Sequence, residues 1–189
     1  MRRAAPLARA ARCVRRSLQV TAGYAALLCA AGCVEITVSD GRTSDATAQF
    51  RSVSTDRAWL SVPEAALVTE RRAPGVTEQR VLLPNSSGVP GENLIYMRAE
   101  ARPPGVPIGR IDQQALLEDA GGIPEPFGPE ALNTMRGIED EAGVLNWTVF
   151  TDGAGTFCVL GLRRIDGTER LVAGAAQAVD VLMRNCVDG

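Results

Sequence analysis

The chain has 189 residues and a formal net charge of −2, and it contains no histidine. Without histidine, Ser-His-Asp and Cys-His catalysis and zinc sites built from Cys and His are excluded. Six of the 20 basic residues precede Cys33 and none of the 22 acidic residues does, so the remainder of the chain is acidic. An acidic chain repels nucleic acid, which argues against nucleic-acid binding.

The N-terminus has the pattern of a lipoprotein signal peptide. Residues 1–16 carry only basic charges, residues 17–32 carry none, and the apolar run ends in Ala30-Ala31-Gly32-Cys33. We therefore expect a signal peptide at 1–32 and lipidation (palmitate and diacylglycerol) of Cys33. The alternative is an ordinary signal peptide, cut near Ala31, with Cys33 unmodified. Val34, where inner-membrane retention uses Asp, favours the periplasmic face of the outer membrane.

The sequence after the signal peptide predicts a tether, a folded domain and a pair of cysteines within that domain. Residues 33–57 are rich in Ser, Thr, Asp and Gly and predict a flexible tether, although residues 34–38 could pair as an edge strand. Residues 58–189 then form a single periplasmic domain. Cys158 and Cys186 remain after the signal peptide and Cys33 are set aside, and an oxidising periplasm favours a disulfide between them over two buried thiols.

The domain is predicted to have an α+β fold, a mainly antiparallel sheet with two or three helices packed on it. Turn signals at Pro74-Gly75, at Pro90–Asn93 and at Asp152–Gly155 separate short apolar segments. The predicted strands are 65–71, 78–83, 94–99, 144–150 and 156–165. The predicted helices are 112–120, with Asp112 as its N-cap and Gly121-Gly122 as its stop, 129–135, and a closing helix 173–185.

No group of residues predicts catalysis, a metal site or a cofactor. The acidic clusters Glu118-Asp119 and Glu139–Glu141 offer the paired carboxylates that a glycosidase needs, but adjacent acids more often form a solvated surface. Asp152–Gly155 lacks the liganding oxygens of a cation loop. The aromatic residues could stack on sugar rings, but core packing is the simpler interpretation of most of them: Trp59, Tyr96, Trp147 and Phe157.

Two blocks of sequence resemble a known family. Glu70-Arg71-Arg72, Thr77-Glu78-Gln79 and Pro90-Gly91-Glu92-Asn93 form the first block, and the run from Phe157 to Ile165 forms the second. Together they are similar to the BcsN family, lipoproteins encoded with bacterial cellulose synthase. The family's cysteine-containing strand usually carries an aromatic residue where Leu162 stands, and Cys186 has no clear equivalent. The resemblance implies an accessory role in making or exporting cellulose and carries over no catalytic residue.

The sequence as a whole predicts a non-enzymatic, lipid-anchored envelope protein accessory to cellulose (exopolysaccharide) biosynthesis or export. Its expected partners are the membrane, through the lipid anchor, and cellulose synthase or other envelope proteins, with a glucan chain as a further candidate. The candidate partner surface is formed by Glu70, Arg71, Arg72, Pro90, Gly91 and Asn93. The alternatives are a lipoprotein subunit of a pilus or secretion system, and a glucan or cell-wall hydrolase.

Overall fold

One antiparallel sheet of eight strands accounts for most of the described chain. The computed structural model describes residues 48–103, 105–166 and 176–189. The strands are β1 Arg51–Val53, β2 Leu67–Ala73, β3 Val76–Leu83, β4 Asn93–Ala101, β5 Arg136–Asp140, β6 Gly143–Thr151, β7 Thr156–Asp166 and β8 Ala176–Asp188. The helices are α1 Gln113–Ala120 and α2 Glu130–Asn133, and a 3-10 turn covers Thr55–Arg57.

The strand order divides the sheet into two halves of four strands. The order is β1-β2-β3-β4-β8-β7-β6-β5, so two meanders meet where β4 pairs with β8. Tight turns join β2 to β3 and β6 to β7. In the first of these turns Gly75 adopts a φ of +77°, a left-handed conformation that favours glycine over residues with a side chain.

One face of the sheet, here called the helix face, is covered by α1, α2 and their connecting loops. Asp112 caps α1, since its Oδ1 accepts a hydrogen bond from the backbone N–H of Ala115 at 3.1 Å, and Gly121 ends it with a φ of +110°. Both predicted helix signals are therefore confirmed. The core beneath these helices consists of Tyr96, Leu116, Leu117, Phe127, Ala131, Cys158, Leu160, Leu162, Leu182 and Cys186.

The described residues cover the opposite face over only half of the sheet. Residues 58–65 cross the β1–β4 half and pack Trp59, Leu60 and Val62 against a second apolar cluster around Val68 and Val81. Over the β5–β8 half, no described segment lies on this side of the sheet. We call that surface the open face. Its side chains include Ile138, Leu145, Trp147, Val149, Phe157, Val159, Met183 and Val187.

The fold is mainly β, which corrects the α+β prediction with two or three packed helices. The predicted closing helix 173–185 is wrong over its described part, because β8 begins at Ala176 and extends to Asp188. This strand lies between β4 and β7. Its helix-face side chains are buried and those of its other face are mostly half-buried, so apolar residues from both faces form a run along the strand. Such a run has no period of two and is easily mistaken for a buried helix.

Two strands lie where the sequence predicts none. β1 pairs with β2 within the segment 33–57 that was predicted to be a tether, so folded structure begins before residue 58. β5 lies in the acidic stretch that was interpreted as solvated surface. The predicted strands 65–71, 78–83, 94–99, 144–150 and 156–165 all match observed strands within a few residues. The signal peptide, Cys33 and residues 34–38 lie outside the described residues.

Candidate functional site

Five charged residues of alternating sign form a row across the helix face. The strand register places Arg71, Glu78, Arg98, Asp180 and Arg164 opposite one another on β2, β3, β4, β8 and β7, in that order. Opposite charges at directly opposed positions stabilise the pairing of antiparallel strands. We call these five residues the charge row.

Glu78 is the most enclosed carboxylate of the charge row, with only 3% of its surface exposed. The Arg71 guanidinium binds both of its oxygens, and the Tyr96 hydroxyl donates to Oε1. Burial alone would raise the pKa of Glu78, but the hydrogen bonds from Arg71 and Tyr96 outweigh it and hold that pKa below its ordinary value. Burial and the hydrogen bond to Glu78 raise the pKa of Tyr96.

Arg164, at the other end of the charge row, donates hydrogen bonds to the loop that precedes α1. Arg164 donates through Nε and Nη2 to the two carboxylate oxygens of Asp180, each at 2.6 Å. Its remaining nitrogen, Nη1, donates to the carbonyl oxygens of Gly109 at 2.7 Å and Arg110 at 3.0 Å. The hydrogen bonds to Asp180 raise the pKa of Arg164. This guanidinium therefore joins two strands to a loop.

Arg98, in the middle of the charge row, forms an ion pair with α1. Arg98 Nε lies 3.0 Å from Asp119 Oδ2 near the C-terminal end of α1. Between this contact and the Gly109–Arg110 loop lies a cavity of about 240 Å³. A larger and more open cavity of about 550 Å³ lies on the other side of the same loop and is lined partly by Val144 and Asn146.

The contacts of the charge row are suited to holding structural elements together. Glu78 stays ionised and Tyr96 stays protonated near neutral pH, so neither group exchanges a proton there. The guanidinium groups of Arg71 and Arg164 are both held by carboxylates. Such mutually neutralised, hydrogen-bonded charges hold elements together, and they offer no poised acid, base or nucleophile.

The predicted Glu70–Arg72 cluster is divided between the two faces of the sheet. Arg71 lies on the helix face, where its guanidinium and that of Arg80 lie 4.8 and 4.4 Å from the centre of the Phe50 ring. Glu70 and Arg72 lie on the opposite face and pair with each other at 2.6 Å. Of the three side chains, only that of Arg72 is largely exposed. The cluster therefore does not form one surface.

The predicted Pro90–Asn93 surface is anchored to the interior. The Asn93 side chain is buried, and its Oδ1 accepts from the backbone N–H of Cys186 at 2.7 Å and from Arg184 Nη1 at 2.8 Å. The carbonyl oxygens of Pro90 and Gly91 also accept from Arg184, at 2.7 and 3.2 Å. A Cβ on Gly91 would lie 3.4 Å from the Arg184 guanidinium, at a φ of +99°. The turn is therefore fixed to the interior through Asn93 and its backbone carbonyl oxygens, while Pro90 and Gly91 are exposed.

Arg184 is the important residue that the sequence did not single out. Its side chain is fully buried, and a further hydrogen bond to the Glu125 carbonyl oxygen at 2.9 Å attaches the loop before α2. Burial lowers the pKa of Arg184. The sequence feature that could have identified Arg184 is its position as a single arginine within the apolar run 176–187. A charge in a buried part of a strand needs hydrogen-bonding partners.

Cys158 and Cys186 form the predicted disulfide. Their Sγ atoms are 2.02 Å apart, and the two residues lie directly opposite each other on β7 and β8. Both side chains are buried in the helix-face core. The bridge thus joins two strands that are already paired, and it leaves no free thiol at these positions.

The open face is an apolar surface that the described residues leave uncovered. Ile138, Val149, Phe157 and Val187 are 51%, 46%, 48% and 49% exposed. Trp147 lies among them, and its Nε1 has no hydrogen-bond partner within the described part of the chain. Exposed aliphatic and aromatic side chains this close together are typical of a contact surface.

Comparisons with models of known protein families, with curated proteins and with solved structures give no match. Within residues 48–103, 105–166 and 176–189, no group of three or more Cys, Asp or Glu residues is arranged to hold a metal ion. In the same part of the chain, no helix has the length and apolar character needed to cross a membrane.

Proposed function

We propose that this protein is a lipid-anchored envelope protein that acts through protein contacts, without catalysis, as an accessory to bacterial cellulose synthesis or export. The observation that carries this proposal is the open face. The β5–β8 half presents exposed apolar residues on a sheet surface, whereas the equivalent surface of the β1–β4 half is covered by residues 58–65.

The size of the open face supports a contact with another macromolecule. Four strands at about 4.8 Å spacing and nine residues at about 3.3 Å each give roughly 600 Å² of sheet. The largest apolar patch on an ordinary monomer is about 300–600 Å², and such patches are often functional. A sheet surface of this size is large enough to accommodate a patch of that kind.

The placement of the acidic residues supports a non-catalytic role. Glu139 and Asp140 are neighbours on β5, so their side chains project to opposite faces of the sheet. Asp140 also accepts from Arg163 and from the backbone N–H of Ala142. The two carboxylates do not face each other as a glycosidase pair does.

The anchor and the link to cellulose are supported by the sequence. Cys33 ends an apolar run after a basic N-terminus, and the blocks around Glu70–Arg72 and Phe157–Ile165 resemble the BcsN family. A lipid anchor would hold the open face within reach of a membrane-bound synthesis or export complex.

Deletion of the gene, followed by complementation with the wild type or with Cys33→Ala, tests this proposal. We expect the deletion to lower cellulose, measured with a glucan-binding dye, and only the wild type to restore it. Cys33→Ala should fractionate with the soluble periplasm. Unchanged cellulose in the deletion strain would contradict the link to cellulose, and a Cys33→Ala protein that still sediments with membranes would contradict the anchor.

A further inference from the structure

β5 is an edge of the sheet among residues 48–103, 105–166 and 176–189. Within this part of the chain it pairs with β6 alone, and all five of its residues are exposed. Unpaired backbone groups at a sheet edge are a template for another strand, and proteins often protect them with very short strands or with charged residues. The opposite edge, β1, is only three residues long, whereas β5 is longer and exposes Ile138.

The side chains of β5 follow a self-complementary pattern. Arg136, Ile138 and Asp140 alternate onto the open face, while Gly137 and Glu139 project to the helix face. On the open face the order is therefore positive, apolar, negative. Along an antiparallel second copy of the strand the order is negative, apolar, positive, so each charge is opposite a charge of the other sign.

We propose that β5 pairs with β5 of a second copy of this chain, antiparallel and about a two-fold axis at Ile138. In this register the two Ile138 residues are opposite each other. Each Arg136 is opposite Asp140 of the second copy, and each Gly137 is opposite Glu139 of the second copy. The two sheets become one continuous sheet, and the interface is isologous, as in most dimers with two-fold symmetry.

The charged groups of β5 are available for this pairing. Arg136 lies 5.9 Å from the centre of the Trp147 ring and has no ion-pair partner among the described residues. Asp140 uses only Oδ1 for its contacts with Arg163 and Ala142, which leaves Oδ2 for an arginine of the second copy. Directly opposed unlike charges contribute roughly 0.2–1 kcal/mol per pair on a sheet.

The same pattern disfavours the other registers. Parallel pairing of two β5 strands places Arg136 beside Arg136 and Asp140 beside Asp140, and like charges in opposition are destabilising. A shift of two residues places each Ile138 opposite a charged side chain and loses both Arg136–Asp140 pairs. The charges of β5 thus select one arrangement, and they still protect the edge against other strands.

A disulfide crosslink tests the register directly. Opposed residues on antiparallel strands have Cα atoms about 4.5–5.5 Å apart, within the range that a disulfide spans. Full-length Ile138→Cys, produced with its own signal peptide, should therefore appear as a dimer on a non-reducing gel. Val149→Cys is the control, because this residue has similar exposure on the same face but lies on β6.

Cysteines at the two opposed charged positions, 136 and 140, provide a second test of the register. Arg136→Cys and Asp140→Cys should each stay monomeric alone and should crosslink when two differently tagged chains are produced together. An Ile138→Cys chain that remains monomeric with a thiol reactive to maleimide would overturn the proposal, as would its crosslink to a different protein. The result does not depend on the cellulose or anchor assignments, which cellulose staining and fractionation test separately.

Discussion

Arg184 supports the centre of the molecule through hydrogen bonds. Its guanidinium donates to the carbonyl oxygens of Pro90, Gly91 and Glu125 and to the side chain of Asn93, so one residue connects β8 to two loops and to β4. Among these acceptors the Asn93 side chain is buried, and a buried acceptor that loses a charged donor is costly.

We predict that Arg184→Met lowers the free energy of unfolding by about 3 kcal/mol, because it removes four hydrogen bonds from a charged donor, one of them to the buried Asn93 side chain. Arg72→Met is the matched control, since the Arg72 side chain is 66% exposed and should change stability by less than about 0.5 kcal/mol. Urea denaturation measures both variants. Equal effects of the two substitutions would contradict the role of Arg184.

Glu78 makes stability depend on pH in a defined direction. Its pKa in the folded state lies below the ordinary value of 4.5, because hydrogen bonds from Arg71 and Tyr96 favour the ionised form. The stabilisation is therefore present above about pH 4.5 and is lost as the pH falls further towards the folded-state pKa.

We predict that Glu78→Gln is less stable than the wild type at pH 7 by about 1–3 kcal/mol, because Arg71 and Tyr96 lose a charged acceptor. The difference should shrink as the pH falls below about 4.5, where the wild-type carboxylate becomes protonated. Urea denaturation at a series of pH values gives the two curves. A constant difference across the series would contradict this account of Glu78.

At the scale of single elements, hairpins could be predicted from the sequence and the central strand could not. Pro74-Gly75 and Asp152–Gly155 mark turns, and the strands that flank them alternate clearly enough to be recognised. β8 carries apolar residues on both of its faces and lacks a clear alternation, so only its pairing with β4 and β7 identifies it as a strand. β5 is polar and short, and it becomes a strand because β6 provides its partner.

The disulfide joins the neighbouring strands β7 and β8 across a connection of 28 residues in sequence. We predict that replacing Cys158 and Cys186 together with Ala lowers the free energy of unfolding by about 3–4 kcal/mol, because the unfolded chain regains the entropy of that loop. Urea denaturation of the double variant beside the oxidised wild type measures the loss. A change below about 1 kcal/mol would contradict a stabilising bridge.

At the scale of the whole molecule, the charge row shows why candidate sites were difficult to predict. Its five members lie on five strands, and they meet only because β4 pairs with β8 far along the sequence. The sequence singled out Arg71 as one of a consecutive cluster, but strand geometry sends its neighbours Glu70 and Arg72 to the other face. The open face, likewise, depends on which strands are adjacent and on which segment covers them.

The two faces of the sheet have different roles in the proposed account. The helix face holds the charge row, the disulfide and the buried Arg184, which together connect the strands and the loops that pack on them. The open face is the surface left for a partner, and the edge strand β5 adjoins it. A substitution on the open face should therefore impair function without unfolding the protein.

Val149→Glu and Val144→Glu, introduced into the complemented deletion strain, test this central claim most directly. Val149 and Val144 are on the same strand and are 46% and 47% exposed, but Val149 lies on the open face and Val144 on the helix face. With protein levels checked by immunoblot, the account predicts that Val144→Glu restores cellulose to the wild-type level and that Val149→Glu leaves it several-fold lower. Full restoration by Val149→Glu would contradict the assignment of the open face as the contact surface.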